Sequence, residues 1–342
     1  MAKKLIKSFT LEELRAAVRD WGYKPYLANQ IFLWLWQKGA EDFSAMTDIA
    51  QNKRRFLKDN FAIPVLRLES RVEGKDKTQK FLFSLPDGHK IESVFIPEED
   101  RKTVCLSSQV GCPLGCKLCY TARIGFKRNL KFYEISEQVL MIKKIVGKVT
   151  NIVFMGMGEP LLNLDEVIKA VKILSSNFGF KIGQRKITIS TVGIIDKIYE
   201  LADSPENVKL AVSLNSPRDE IRSFLIPINE KYPIAELMKS LHYYVKQKKK
   251  RVTFEYVLIK GLNDSEADAR LLAKTLKGIP SKINLIPFNP FPGCDFKAPT
   301  KREIERFAGL LYQIFPYIIT VRKSRGTDIL AGCGQLAGDK LP

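Results

Sequence analysis

The stretch GCPLGCKLCYTARIGF, residues 111–126, places cysteines at positions 112, 116 and 119. The chain of 342 residues holds six cysteines, so half of them fall in this one short segment. A structural zinc site usually takes four ligands as two separated pairs, because a tetrahedral ion needs a closed shell. C-x3-C-x2-C has a different form. It supplies three thiolates from one loop, and soft thiolates select iron–sulfur clusters. A four-iron cluster held by three cysteines leaves one iron open, and an open iron can bind and reduce a ligand.

The loop also marks where the fold changes character. From about residue 102 the chain alternates β-branched runs with longer helical patterns. The runs are TVCLSS, NIVFMGMG, RKITISTVG, VKLAVSLN, RVTFEYVLI and SKINLIPF, and the helices between them include FYEISEQVLMIKKIVG, LDEVIKAVKIL and PIAELMKSLHYYVKQ. Six β/α units predict an α/β fold, either a parallel sheet or a partial (β/α)6 barrel, with its active site at the C-terminal ends of the strands. Before the loop, Thr10 and Glu13 have the form of a capping box, with Leu11, Leu14, Val18 and Trp21 at helical spacing and Gly22 as the stop. Helical patterns follow in YLANQIFLWLWQKG and MTDIAQNKRRFLKDNF. Phe32, Trp34 and Trp36 read as core of this helical region rather than as a base-stacking platform. Period-two alternation then appears in VLRLESRV, TQKFLFSLPDG and HKIESVFIP, with Pro86-Asp87-Gly88 as a turn. The expected division is a helical domain over 1–62, a β-hairpin extension over 63–97, the barrel over 98–320, and a C-terminal strand and glycine-rich loop over 321–342.

Lysine and arginine number 56 against 37 acidic residues, a formal balance of +19. The surface potential therefore favours a polyanion, with nucleic acid the leading candidate. A basic protein without specific affinity is the plainer alternative, and the run KQKKKR from Lys246 to Arg251 reads by itself as a solvated helix end. There is no run of about 18 apolar residues, and MAKKLIKSF lacks the apolar stretch of a signal peptide. A monomeric cytoplasmic protein with no membrane partner is expected.

Cys112, Cys116, Cys119 and Tyr120 together are similar to the signature of the radical S-adenosylmethionine enzymes. That resemblance implies a [4Fe-4S] cluster whose open iron chelates S-adenosyl-L-methionine. An electron donor such as flavodoxin or ferredoxin then allows cleavage to a 5′-deoxyadenosyl radical. Taken alone, MGMGEP at 155–160 is a Gly/Pro turn with a solvated Glu159. Beside the cysteine loop it resembles the family's GEP element, in which Gly158 and Glu159 hold the aminoacyl end of the cofactor. Ser190, the Ser213-Leu214-Asn215 stretch and Asn289 match further cofactor positions, with Asn215 standing where histidine is usual. Asparagine still donates and accepts a hydrogen bond.

CLSSQVGCPLGCKLCYTARIGFKRNL, FMGMGEPLLN, ISTVGI, NLIPFNPFPG and the tail GCGQLAG narrow the resemblance to the radical methyltransferases that modify adenine carbons in RNA. The resemblance spans nearly the whole chain and implies that the N-terminal helical domain serves RNA recognition. It implies methylation of C2 of adenosine 2503 in 23S rRNA, with adenosine 37 of tRNA as a second candidate substrate. The alternatives are C8 methylation of the same rRNA adenosine, which confers antibiotic resistance, and a non-catalytic metal-containing RNA-binding protein. C2 of adenine is too electron-poor to attack a methyl sulfonium, so a radical route is required. In the family scheme the tail cysteine, Cys333, is first methylated, loses hydrogen to the radical, and adds through its carbon to the base. Release needs a proton to leave C2 and a second thiol, here Cys105, to attack the sulfur and form a disulfide. Glu92 matches the proton acceptor. Without the resemblance, Cys105 is a small buried hydrophobe, Cys333 a loop thiol and Glu92 a strand-edge carboxylate; Cys294 has no family counterpart.

Overall fold

Thr10 opens the first helix, Leu11–Asp20, with the capping box that its sequence predicts. Its hydroxyl accepts the Glu13 N–H at 3.3 Å, and the Glu13 carboxylate accepts the Thr10 N–H at 2.7 Å. Gly22 follows at φ +78, a left-handed conformation that ends the helix. The computed structural model describes residues 3–338; positions 1–2 and 339–342 of the expected terminal segments lie outside the described residues.

The helix expected over 26–39 is α-helical only through Leu33 and continues as a π turn, Trp34–Lys38. Phe32 and Trp36 are buried as expected, whereas Trp34 stays half-exposed, its indole N–H on Asp48 at 2.5 Å and the Lys38 ammonium 3.5 Å from its ring centre. The third helix begins at Gln51, five residues after Met46. Asp48 explains the delay: its carboxylate takes the Trp34 N–H and its carbonyl the Gln30 amide, tertiary bonds that hold this segment out of helix. The helical region is pinned to the rest of the molecule by Lys7, whose ammonium meets Glu137 at 2.6 Å with both side chains almost wholly buried.

Ten strands form one mixed sheet and follow one another across it in chain order. Arg67–Glu73, Gln79–Ser84 and Lys90–Pro97 run antiparallel, the last two joined by the Pro86-Asp87-Gly88 turn. Lys102–Cys105, Asn151–Phe154, Ile187–Thr191, Lys209–Ser213, Val252–Leu258 and Ser281–Pro287 are the six predicted barrel strands, all parallel, and Ile318–Val321 adds a seventh. A parallel sheet extended always in one direction by right-handed crossovers curls into a partial barrel. Helices Phe132–Val146, Leu164–Ser175 and Ile234–Lys248 lie on the predicted stretches. Among the described residues, no helix is long and apolar enough to cross a membrane.

Candidate active site

The cysteine loop leaves the end of the Lys102–Cys105 strand and is closed at its base by a small ribbon, Gln109–Gly111 against Phe126–Asn129. Gly111 has φ +75, and a Cβ there would lie 1.7 Å from the Gly125 carbonyl, so only glycine permits the closure. Cys112, Cys116 and Cys119 line a cavity of about 160 Å³ together with Gly158, Glu159, Ser190, Ser213 and Asn215. All three thiols are pushed upward, first by burial, Cys112 to about 12. Protons are held tightly here, and a metal must displace them to form thiolate bonds. Among the described residues no group of three or more His, Cys, Asp or Glu side chains is placed to hold a single ion. Three thiols spread around one cavity fit an iron–sulfur cluster better than a closed zinc shell.

Glu159 is buried rather than solvated. One carboxylate oxygen accepts the Leu161 N–H and the other the Val192 N–H, each at 3.0 Å, so it joins two strand ends. Burial nevertheless raises it to about 7. The Gln109 amide oxygen accepts the Glu159 N–H at 2.9 Å, seating the 155–160 turn against the cysteine loop. Asn215 adopts φ +58, and its amide oxygen accepts the Val257 N–H at 2.8 Å while its carbonyl accepts from Asn263 at 2.6 Å. It both lines the cavity and fixes its own loop. Leu214 is fully buried and does not line the cavity; its N–H donates to the Glu255 carbonyl and its own carbonyl accepts from the Ser216 N–H and from Arg222.

The tail crosses this arrangement. Cys333 lines the same cavity and also a second one, of about 370 Å³, that contains Cys105. Asn289 lines neither; its amide donates to the Cys333 carbonyl at 3.1 Å. The cysteine loop grips the tail too: the Tyr120 N–H donates to the Gly334 carbonyl and the Thr121 hydroxyl to the Leu336 carbonyl, both at 2.7 Å. Cys105 is buried and Cys333 exposed, and all six cysteines are free thiols. Glu92 is buried as well, outside both cavities, its carboxylate bound to Lys80 and to tail N–H groups.

The larger cavity opens through a cationic mouth that includes Arg101, Arg185, Lys250, Arg251, Lys282 and Arg322. Partial burial first, then the cations Arg185, Lys248 and Lys209, lower the Lys250 ammonium to about 8. The KQKKKR run thus ends a helix at Lys248 and delivers two cations to the mouth.

Residues 6–63 match the ribosomal RNA large subunit methyltransferase N-terminal domain, and residues 106–272 the radical SAM superfamily. The chain is 46% identical to the dual-specificity RNA methyltransferase RlmN of Geotalea uraniireducens, over 99% of its own length and 98% of the relative's. The corresponding protein of Geobacter sulfurreducens is also 46% identical, over 97% and 92%. This chain belongs to the RlmN family. A radical SAM methyltransferase from Sphaerobacter thermophilus superposes with a TM-score of 0.93 at 42% identity, covering 98% of this chain and 100% of that one. The RlmN-family chain is therefore a radical S-adenosylmethionine RNA methyltransferase. Three residues of its site escaped the motif reading. Glu255 lines both cavities and is held by the Asn284 amide at 2.8 Å; Lys80 holds Glu92. Arg222, fully buried, donates to the Val192 and Leu214 carbonyls and so knits two strand ends. Glu255, a lone charge within the apolar run VTFEYVLI, carried the clearest signal.

Proposed function

We propose that this enzyme methylates C2 of an adenine in RNA, adenosine 2503 of 23S rRNA and adenosine 37 of tRNA, and that Cys333 carries the transferred carbon. The observation that supports this most directly is the position of Cys333, which faces the three loop cysteines in one cavity and Cys105 in the next. Cys112, Cys116 and Cys119 would hold a [4Fe-4S] cluster, and Gly158, Glu159, Ser190, Ser213 and Asn215 would bind S-adenosyl-L-methionine. When bound, these groups supply a methyl group and a carbon-centred radical. The polypeptide supplies the rest. Its cationic mouth attracts the RNA backbone, and the cavity behind it receives the base. Cys333 joins the carbon to the base; once the adduct has given up its C2 proton and one electron, which the cluster would take back, Cys105 attacks the Cys333 sulfur to form a disulfide, and the carbon leaves with the C–S bonding pair and takes up a proton. The family resemblance gives the C2 proton to Glu92.

Nucleoside mass spectrometry of RNA treated with the reduced enzyme tests the assignment. 2-Methyladenosine is expected. 8-Methyladenosine would move the enzyme to the alternative regiochemistry, and the absence of both products would overturn adenine as the target.

A further inference from the structure

Residues 326–338 carry little regular structure, a single 3-10 turn at Thr327–Ile329, and have positive φ at Gly326, Leu330, Gly334 and Gly338. Such a segment is entropically costly to order, so contacts with the rest of the molecule must set where Cys333 lies. One pair of side chains grips it on both sides of the cysteine. Lys80 and Glu92 stand on the paired strands Gln79–Ser84 and Lys90–Pro97. The Lys80 ammonium lies 3.0 Å from one Glu92 oxygen and donates to the Leu330 carbonyl at 3.4 Å. The other Glu92 oxygen accepts the N–H groups of Ala337 at 2.7 Å and Gly338 at 3.0 Å. Both carboxylate oxygens are thus engaged, the side chain is only 3% exposed, and Glu92 lines neither cavity that Cys333 faces. A general base must come within hydrogen-bond reach of the proton it takes.

We propose that Lys80 and Glu92 form a latch that positions the Cys333 loop for loading with the methyl group. Both are then positioning residues, and the inference rests on the reading of Cys333 as carbon carrier. The latch acts before RNA arrives, whereas a proton acceptor acts only after the carbon has joined the base, so the two roles fail at different stages.

Lys80→Met and Glu92→Gln separate them. Methylation of Cys333 is followed by intact-protein mass in the cluster-loaded enzyme with S-adenosyl-L-methionine and no RNA, and amide hydrogen exchange of the 331–338 segment is measured without S-adenosyl-L-methionine. The latch predicts faster exchange at Ala337 and Gly338 and Cys333 loading slowed between about tenfold and a hundredfold in both variants, at unchanged iron content. Lys80→Arg, which keeps a cationic donor, restores most of the loading. Normal loading and exchange in Lys80→Met overturn the latch. So does a Glu92→Gln enzyme that loads Cys333 normally but accumulates a covalent protein–RNA conjugate, because that is the mark of a missing proton acceptor. An unaltered enzyme that never methylates Cys333 removes the carrier reading and the latch together.

Discussion

Cys105, the nucleophile proposed for release, has the surroundings of a core residue. Burial, and after it the neighbouring Cys333, raise its thiol well above the usual range. Only the thiolate attacks sulfur, so release should accelerate as pH rises, by about tenfold per unit while the thiol remains mostly protonated. Decay of an isolated wild-type protein–RNA conjugate between pH 7 and 9 measures this, and a flat profile would place the slow step elsewhere. Cys105→Ala leaves the loop cysteines and Cys333 in place and should stall as an RNase-sensitive conjugate on a denaturing gel. Cys333→Ala should give none, since the bridging sulfur is gone. At this scale the sequence was legible where chemistry is local. Cys112, Cys116 and Cys119 sit within one loop, and their spacing already brings them to one cavity. The contacts of Glu92 were not legible, because its partners Ala337 and Gly338 lie at the far end of the chain and no local spacing encodes such a meeting.

The helix Phe132–Val146 supports the start of the cysteine loop through Gln138. Its amide oxygen accepts the Ser107 N–H at 3.0 Å and the Ser93 hydroxyl at 2.6 Å, and its amide nitrogen donates to the Ser107 carbonyl at 3.0 Å, all in the interior. Gln138→Leu keeps roughly the same volume but strands both backbone groups of Ser107, each at about 1–3 kcal/mol. A loss of about 2–4 kcal/mol in urea unfolding is expected, together with reduced iron incorporation. The period of this helix was plain in FYEISEQVLMIKKIVG, because periodicity is a property of consecutive residues. Element ends were less plain. The third helix starts late because Asp48 bonds to Trp34 and Gln30, and such tertiary bonds override local propensity without leaving a local mark.

Across the whole molecule, charge and burial work at different ranges. If the +19 balance and the cationic mouth bind RNA phosphates, affinity must fall with salt, log K by about 0.7 for each phosphate neutralised on a single strand and about 0.9 on a duplex. Replacing Lys250 and Arg251 together by alanine should flatten that slope in a filter-binding titration. An unchanged slope would exclude them from the footprint. Inside, Lys7 and Glu137 join the helical region to the barrel. Lys7→Met alone leaves a buried carboxylate uncompensated and should destabilise by about 3–5 kcal/mol, whereas Lys7→Met with Glu137→Leu should recover most of it in the same denaturation assay.

The bonds from Tyr120 and Thr121 to the carbonyls of Gly334 and Leu336 couple two segments more than two hundred residues apart. Linkage makes that coupling symmetrical: any free energy that orders the first segment is returned in equal measure to the second. If Cys112, Cys116 and Cys119 hold a cluster and Cys333 the transferred carbon, as proposed, assembly of the one and docking of the other are not independent steps of maturation. A chain kept free of iron should then be cut sooner at its C-terminal end in limited proteolysis, and removal of that end should reduce iron incorporation.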